Sequence, residues 1–397
     1  MMTIFRGTLS LESLAGAIGL CAGCLAFAFP LSAQTYLLYA GSYTSGASKG
    51  IYAWRFDSHD GSLEPLGLEV ATPQPAYVWP SPDGHTLYAV NWEDEGGVSA
   101  FRIDPRTGAL RLLDRVSAQG SKPNQVMVHP GGKLAVSVNY TTGNVVAYRI
   151  SADGSLGDPF WSDQHTGQPL SPKQPGLKAP RPKAHGVEFS RDGQFMYVAD
   201  LGLDRVYGYR VDTQSGAITA GAPAFTSVEA GAGPRRLQIS TNGKFLYVDH
   251  ETDSQVSVFA LDGTNLKEIQ RLPTVPPAFA GHNTTAEIVL SADGRFLYVS
   301  NRGSDSIATF AVDPVTGRLT ADGFTPAGGR TPRNLRLDPT GGYLLSANED
   351  GGSIIVFKRD PATGALSQLA FKGDIDTPGS LCFVPADAGM TSPIKAD

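Results

Sequence analysis

Cysteine is scarce: three in 397 residues, and two of them, Cys21 and Cys24, lie in an N-terminal apolar run. Only Cys382 remains beyond it. An intrachain disulfide, a zinc knuckle and a Cys-x-x-Cys redox site are thereby excluded. Cys382 sits in the apolar stretch SLCFV and is expected to fill core space. Runs of lysine and arginine are missing too. The 32 basic and 38 acidic residues are interspersed and leave a net charge of −6, which argues against a nucleic-acid or anionic-membrane partner. Amphipathic helical periodicity is absent, and so are a His-Glu-x-x-His pair, a phosphate-cradling Walker loop and a regular Ca²⁺ loop. A serine-nucleophile elbow is likewise not expected, so metal hydrolysis and nucleophilic-serine hydrolysis are both disfavoured.

The first 33 residues differ from the rest. MMTIFRGTLSLES leads into LAGAIGLCAGCLAFAFPLSA, a run of small apolar residues ending at Ala33-Gln34. This pattern predicts a secretory signal peptide over 1–33 and a periplasmic or secreted mature protein. Glu12 and Leu31 depart from the usual pattern, which keeps an uncleaved membrane anchor as the alternative. A lipoprotein site at Cys24 fits less well, because Cys21 stands where leucine is wanted.

What is plentiful is glycine (46) and proline (28), and they are periodic. The runs PAYVWPSPDG, PNQVMVHPGG, AHGVEFSRDG, PRRLQISTNG, TAEIVLSADG and PRNLRLDPTG each end on a turn glycine: Gly84, Gly132, Gly193, Gly243, Gly294 and Gly341. A second apolar run follows each, closing at Trp92, Tyr140, Leu201, Glu251, Arg302 and Glu349. Third runs such as NVVAYRI and SIATFAVD, Asp/Gly-rich turns such as DPVTG and a short fourth run complete each unit. Four antiparallel strands repeated about every 50 residues predict propeller blades. Asn242-Gly243 in particular predicts a tight two-residue hairpin. The stretch YLLYAGSYTSGASKGIYAWRFD supplies later strands of a seventh unit whose first strand, TPGSLCFVP, lies at the other end of the chain. The fold class is therefore all-β: one seven-bladed β-propeller over 34–385 of four-stranded antiparallel blades, its ring closed by N- and C-terminal strands, with a C-terminal tail over 386–397. Such a closed ring is expected to be a monomer.

Register gathers the chemistry. If the turn glycines share one face, the starts of first strands and the ends of second strands meet on the other, around the central channel. Those positions bring together His185, Arg235, Glu251 and Arg302 with Tyr43, Asn124, Tyr140, Asp200, Arg236, His250, Glu287, Arg333 and Glu349. Aromatic walls stack sugar faces and guanidinium forks hold carboxylate or phosphate, so a small oxygen-rich anionic ligand fits this mouth. The alternative for any one of them is a solvated rim or a blade-to-blade hydrogen bond. Asn91, Asn139, Asn301 and Asn348 recur so regularly that they read as structural caps.

The segments AHGVEFSRDGQFMYVADLGLDRVYGYRVD, GAGPRRLQISTNGKFLYVDHETDSQVSVF and AEIVLSADGRFLYVSNRGSDSIATF make the chain resemble the lactonase seven-bladed propeller family. That family groups a propeller type of 6-phosphogluconolactonase with fungal carboxy-cis,cis-muconate cyclases. The resemblance implies His185, Arg235, Glu251 and Arg302 as catalytic residues, with no metal or organic cofactor. Lys183, in RPKAH, stands where the family often has a second histidine. Hydrolysis of a sugar lactone of 6-phosphogluconolactonase type is the expected activity, with Glu251 as general base, the arginines on the oxyanion or anionic tail and His185 at the leaving ring oxygen. A carboxymuconate-type cycloisomerase and a non-catalytic periplasmic ligand- or protein-binding propeller are the alternatives.

Overall fold

A computed structural model of the protein describes residues 34–168 and 181–387. The expected signal peptide and the end of the tail lie outside the described residues. Among the described residues, twenty-eight strands form seven four-stranded antiparallel sheets. Blade 1 is the split one: Pro378–Pro385 is its innermost strand and pairs with Thr35–Ser42, which leads outward through Gly50–Asp57 and Leu63–Ala71. Blades 2 to 7 run Tyr77–Ser117, Pro123–Gln164, Ala184–Ser227, Pro234–Pro273, Thr284–Pro326 and Pro332–Asp374. Each is ordered from inner to outer strand along the chain.

The core lies between blades rather than within one. Leu37, Tyr39 and Ile51 of blade 1 pack on Val78, Leu87 and Phe101 of blade 2, while Leu38, Trp54 and Phe56 pack on Tyr343, Leu345 and Val356 of blade 7. Both faces of each second strand are thus apolar, as in Leu134–Asn139 and Tyr343–Asn348, which are buried along their whole length. Each such Leu, Val or Phe contributes about 1.5–3 kcal/mol by leaving water. A tyrosine of the second strand also clasps the next blade. Tyr39, Tyr88, Tyr197 and Tyr298 donate to the carbonyls of Gly108, Gly154, Gly263 and Gly364, respectively, at 2.6–2.9 Å.

The turn glycines do share one conformation, with φ between 71° and 73° at Gly84, Gly132, Gly193, Gly294 and Gly341 and 70° at Gly243. The hairpin they make is longer than the two-residue one expected at Asn242-Gly243. The Gly243 amide bonds back to the Ser240 carbonyl, the Ser240 amide closes on Phe245, and only the glycine takes positive φ. Ser240 decides this: its hydroxyl accepts from the Phe245 amide and bonds Asn242 Oδ1, which favours a wider serine-anchored turn.

Candidate active site at the channel mouth

In blades 3 to 7 the start of the inner strand departs from regular pairing. The ladder slips at Pro123/Gln125, Ala184/Gly186, Pro234/Leu237, Thr285/Ile288 and Pro332/Asn334. Strict alternation would send Arg235 and Arg236 to opposite faces of the sheet; a bulge lets consecutive residues both reach the channel. The amides that lose their ladder partner find side chains instead: Arg236 N donates to Asp249 Oδ1 (2.6 Å) and Glu287 N to Ser300 Oγ (3.0 Å). At the exits, the amides of Tyr43, Trp92, Tyr140, Leu201, Glu251 and Glu349 are each held by a carbonyl of the segment leading into the inner strand, at 2.8–3.0 Å. Those anchors fix where the exit side chains start.

The result is a cavity of about 340 Å³ at the channel mouth, lined by Tyr43, Trp92, Asn124, Tyr140, His185, Arg235, Glu251, Arg302, Arg333 and Glu349 together with Ser45 and Thr377. Glu251 Oε2 is its centre. Arg235 Nε approaches it to 2.8 Å, Arg302 Nη2 to 3.1 Å and His185 Nε2 to 3.9 Å. Arg235 also donates to the Ala286 carbonyl, and Arg302 to the Thr285 carbonyl at 2.8 Å, so both guanidinium groups are fixed from behind. Arg333 pairs with Glu349 (3.1 Å) and donates to the Tyr43 hydroxyl (2.5 Å). Asn124 Nδ2 lies 2.9 Å from His185 Nδ1 and donates to the His185 carbonyl at 3.1 Å. Burial would raise the Glu251 carboxyl, but Arg302 and Arg235 outweigh it and hold it below the usual range. Burial, and then four surrounding arginines, push His185 well below an ordinary imidazole, so it is neutral at pH 7.

Around the ring the mouth divides. Blades 1 to 3 contribute Tyr43, Trp92 and Tyr140, with the first two rings edge to face at 5.5 Å; blades 4 to 7 contribute His185, the arginines and the carboxylates.

Four expected site residues do not line this cavity. Arg236 and Glu287 lie one layer deeper, 3.7 Å apart; Arg236 crosses the channel to the Gln125 side chain and the Tyr77 ring, while Asn334 donates to Glu287 at 2.5 Å. This layer seals the floor. Asp200 is fully buried, its Oδ1 capping the amides of Lys183, Gly202 and Leu203 and its Oδ2 held by His165 at 2.7 Å. His250 is fully buried, its ring nitrogens without a hydrogen-bond partner, and burial followed by Arg271 pushes it to about 3. The four recurrent asparagines bond connecting-loop carbonyls at Pro73, Ala118, Thr274 and Ala327. Ser45 and Thr377 were not foreseen; Thr377 could have been, since it directly precedes an inner strand.

Two other features offer less chemistry. The string Gly46-Ala47-Ser48-Lys49-Gly50 has the spacing of a serine-nucleophile elbow. Yet Ser48 is buried and hydrogen-bonded to Ser42 Oγ at 2.8 Å, and the chain runs on into a strand, not a helix. A roomier cleft of about 460 Å³ on the turn face is lined by loop residues such as Ser81, Thr86, Gly132 and Gly154 and brings no comparable set of groups together.

A family of lactonases described as seven-bladed β-propellers matches residues 37–385. The chain belongs to this lactonase family. It is 32% identical over 288 residues to a 6-phosphogluconolactonase of Bacillus subtilis, covering 72% of this chain and 80% of that one. A 6-phosphogluconolactonase of Formosa agariphila is 30% identical over 309 residues, covering 75% and 85%. Among solved structures, a periplasmic gluconolactonase of Pseudomonas aeruginosa superposes with a TM-score of 0.82 at 34% identity, covering 90% of this chain and all of that one. The lactonase fold is thus shared along the whole ring, split blade included.

Proposed function

We propose that this lactonase-family chain hydrolyses a sugar lactone at the channel mouth, opening the ring to the sugar acid. The observation that carries the reading is the convergence of a neutral imidazole and two fixed guanidinium groups on one carboxylate in an open cavity. In this reading His185 takes over the base role that the sequence expectation assigned to Glu251 and keeps its place at the leaving ring oxygen. Glu251 is committed to Arg235 and Arg302; His185 is uncharged, and Nδ1, which accepts from the Asn124 amide, carries the lone pair that takes the proton once water displaces that contact.

In this mechanism His185 takes a proton from water as the water oxygen attacks the lactone carbonyl. Arg302 and Arg235 hold the oxyanion of the tetrahedral adduct. Collapse breaks the bond to the ring oxygen, and the imidazolium returns its proton to that leaving oxygen. Glu251 aims the arginines and steadies the transient imidazolium. Tyr43, Trp92 and Tyr140 offer the sugar ring an apolar wall.

The test is ring opening by the purified protein, with glucono-δ-lactone and its 6-phosphate measured against their spontaneous hydrolysis. Acceleration that is lost in His185→Ala supports the assignment. Acceleration that survives intact in His185→Ala removes the imidazole from the mechanism, and acceleration of neither lactone ends the lactonase reading. The catalytic unit is proposed to be a monomer spanning 34–385, exported through the apolar segment before Gln34. Cell fractionation and size-exclusion chromatography test those points.

A further inference from the structure

One cation behind the cavity wall has no acid. Lys183 is 6% exposed, and its Nζ donates to the Tyr140 hydroxyl at 2.9 Å while lying 4.6 Å from that ring's centre. Among the described residues no carboxylate is within ion-pair distance of it, and the ammonium has three donors for this single side-chain acceptor. Lys122, which likewise precedes an inner strand, is more exposed and does have an acid, Asp94, at 3.4 Å. Burying an unpaired ammonium is unfavourable, and the deficit is removed when an anion arrives.

The hydrogen bond also sets the tyrosine. An ammonium can only donate, so the Tyr140 oxygen accepts from Lys183 and its own proton must be given elsewhere. Tyr140 lines the cavity and meets the His185 ring edge to face at 5.6 Å. The phenol therefore offers the cavity a polarised O–H donor backed by a positive charge. Around the ring, blade 3, which carries Tyr140, lies opposite blades 6 and 7, which carry Arg302 and Arg333. With Arg235, Arg302, Arg333 and Lys183 set against Glu251 and Glu349, cations outnumber carboxylates around the cavity.

We propose that Lys183, acting through the Tyr140 hydroxyl, is a specificity-determining group that recognises an anionic substituent, phosphoryl or carboxylate, at the end of the substrate remote from the lactone carbonyl. This rests on the lactonase reading and adds the charge of the substrate and the side of the cavity that reads it.

The experiment is the ratio of kcat/KM for glucono-δ-lactone 6-phosphate to that for glucono-δ-lactone, in the wild type, Lys183→Met, Lys183→Arg and Tyr140→Phe. Lys183→Met keeps the length and apolar stem of the side chain. The ratio is expected to exceed one in the wild type, to fall about tenfold in Lys183→Met and in Tyr140→Phe, and to be largely kept in Lys183→Arg. A purely structural role for Lys183 would slow both substrates together and leave the ratio alone, and an unchanged ratio in Lys183→Met overturns the proposal. So does a wild-type ratio at or below one. If neither lactone is opened, the lactonase reading fails separately. Calorimetric binding of gluconate 6-phosphate against gluconate then decides: a phosphate preference lost in Lys183→Met supports the inference, and no preference, or one that survives, overturns it.

Discussion

Arg235 and Arg236 are neighbours in sequence, both buried, and each pairs with a glutamate at the channel, Arg235 within its own blade and Arg236 on the next, yet the two pairs have different surroundings. Arg235 meets Glu251 at the edge of an open cavity, where the carboxylate is still about one-fifth exposed. Arg236 meets Glu287 in the closed layer beneath, where the Glu287 side chain is 8% exposed and Gln125, Asn334 and Tyr77 fill the remaining positions. The upper pair leaves room for a ligand. The lower pair is closed in, with Arg236 Nε left without a hydrogen-bond partner, and that layer also stitches blades together: Gln125 accepts from the Val187 amide and Asn334 from the Leu381 amide. Identical residue types can thus serve chemistry or architecture, depending on whether water and substrate can reach them.

The largest effect should come from the floor. Glu287→Ala strands a buried guanidinium and should lower stability by about 3–5 kcal/mol in denaturant unfolding. A loss below about 1 kcal/mol would mean that water already reaches this layer and that the two clusters are alike. At the mouth, Arg302→Ala should cut kcat/KM for the lactone by about 10²–10³-fold, the size of losing one oxyanion donor. Its unfolding midpoint should move far less than that of Glu287→Ala; the reverse ranking would invert the comparison.

The pH profile refines it further. His185 has a folded pKa well below 6.5, so the working neutral form persists through neutrality and is lost as acid protonates it. The acid limb of kcat/KM should therefore lie below pH 6.5, with a plateau above. A limb centred at or above 6.5 would argue that the arginines do not act on the imidazole. The smallest effect belongs to the far face, away from both clusters. A Cβ on Gly243 meets nothing within 4 Å, so Gly243→Ala should cost only the about 1–2 kcal/mol of a non-glycine residue at positive φ, and leave kcat/KM unaltered.

The repeat made the architecture readable before any coordinates, because a blade is a local unit: turn glycine, alternating runs and spacing all sit within one stretch of chain. Even the split blade was visible, since its missing first strand had one candidate in TPGSLCFVP, and Tyr36 to Ser42 do pair with Pro378 to Pro385. Convergence at the mouth followed from register alone for His185, Arg235, Glu251, Arg302, Arg333 and Glu349. The depth of each residue did not. Asp200 and His250 stand one position before the exits in sequence, and one position in a strand is a change of face, which turned both into the blade. The bulge that keeps Arg236 in the channel has no local signature, because it is held by side chains of other strands such as Asp249.

The sequence by itself determined the six repeated hairpins, the closure of a seventh blade by the two ends of the chain, and the set of charged and aromatic residues delivered to one end of a channel, since all of these depend on periodicity along the backbone. Only the tertiary structure decided which arginine is open and which is sealed, that Glu251 is shared by two guanidinium groups while His185 stays neutral, and that Lys183 is buried against Tyr140 with no acid at ion-pair distance among the described residues. Those outcomes depend on distances between blades, and on how much water is left between them, which no pattern within a single blade encodes.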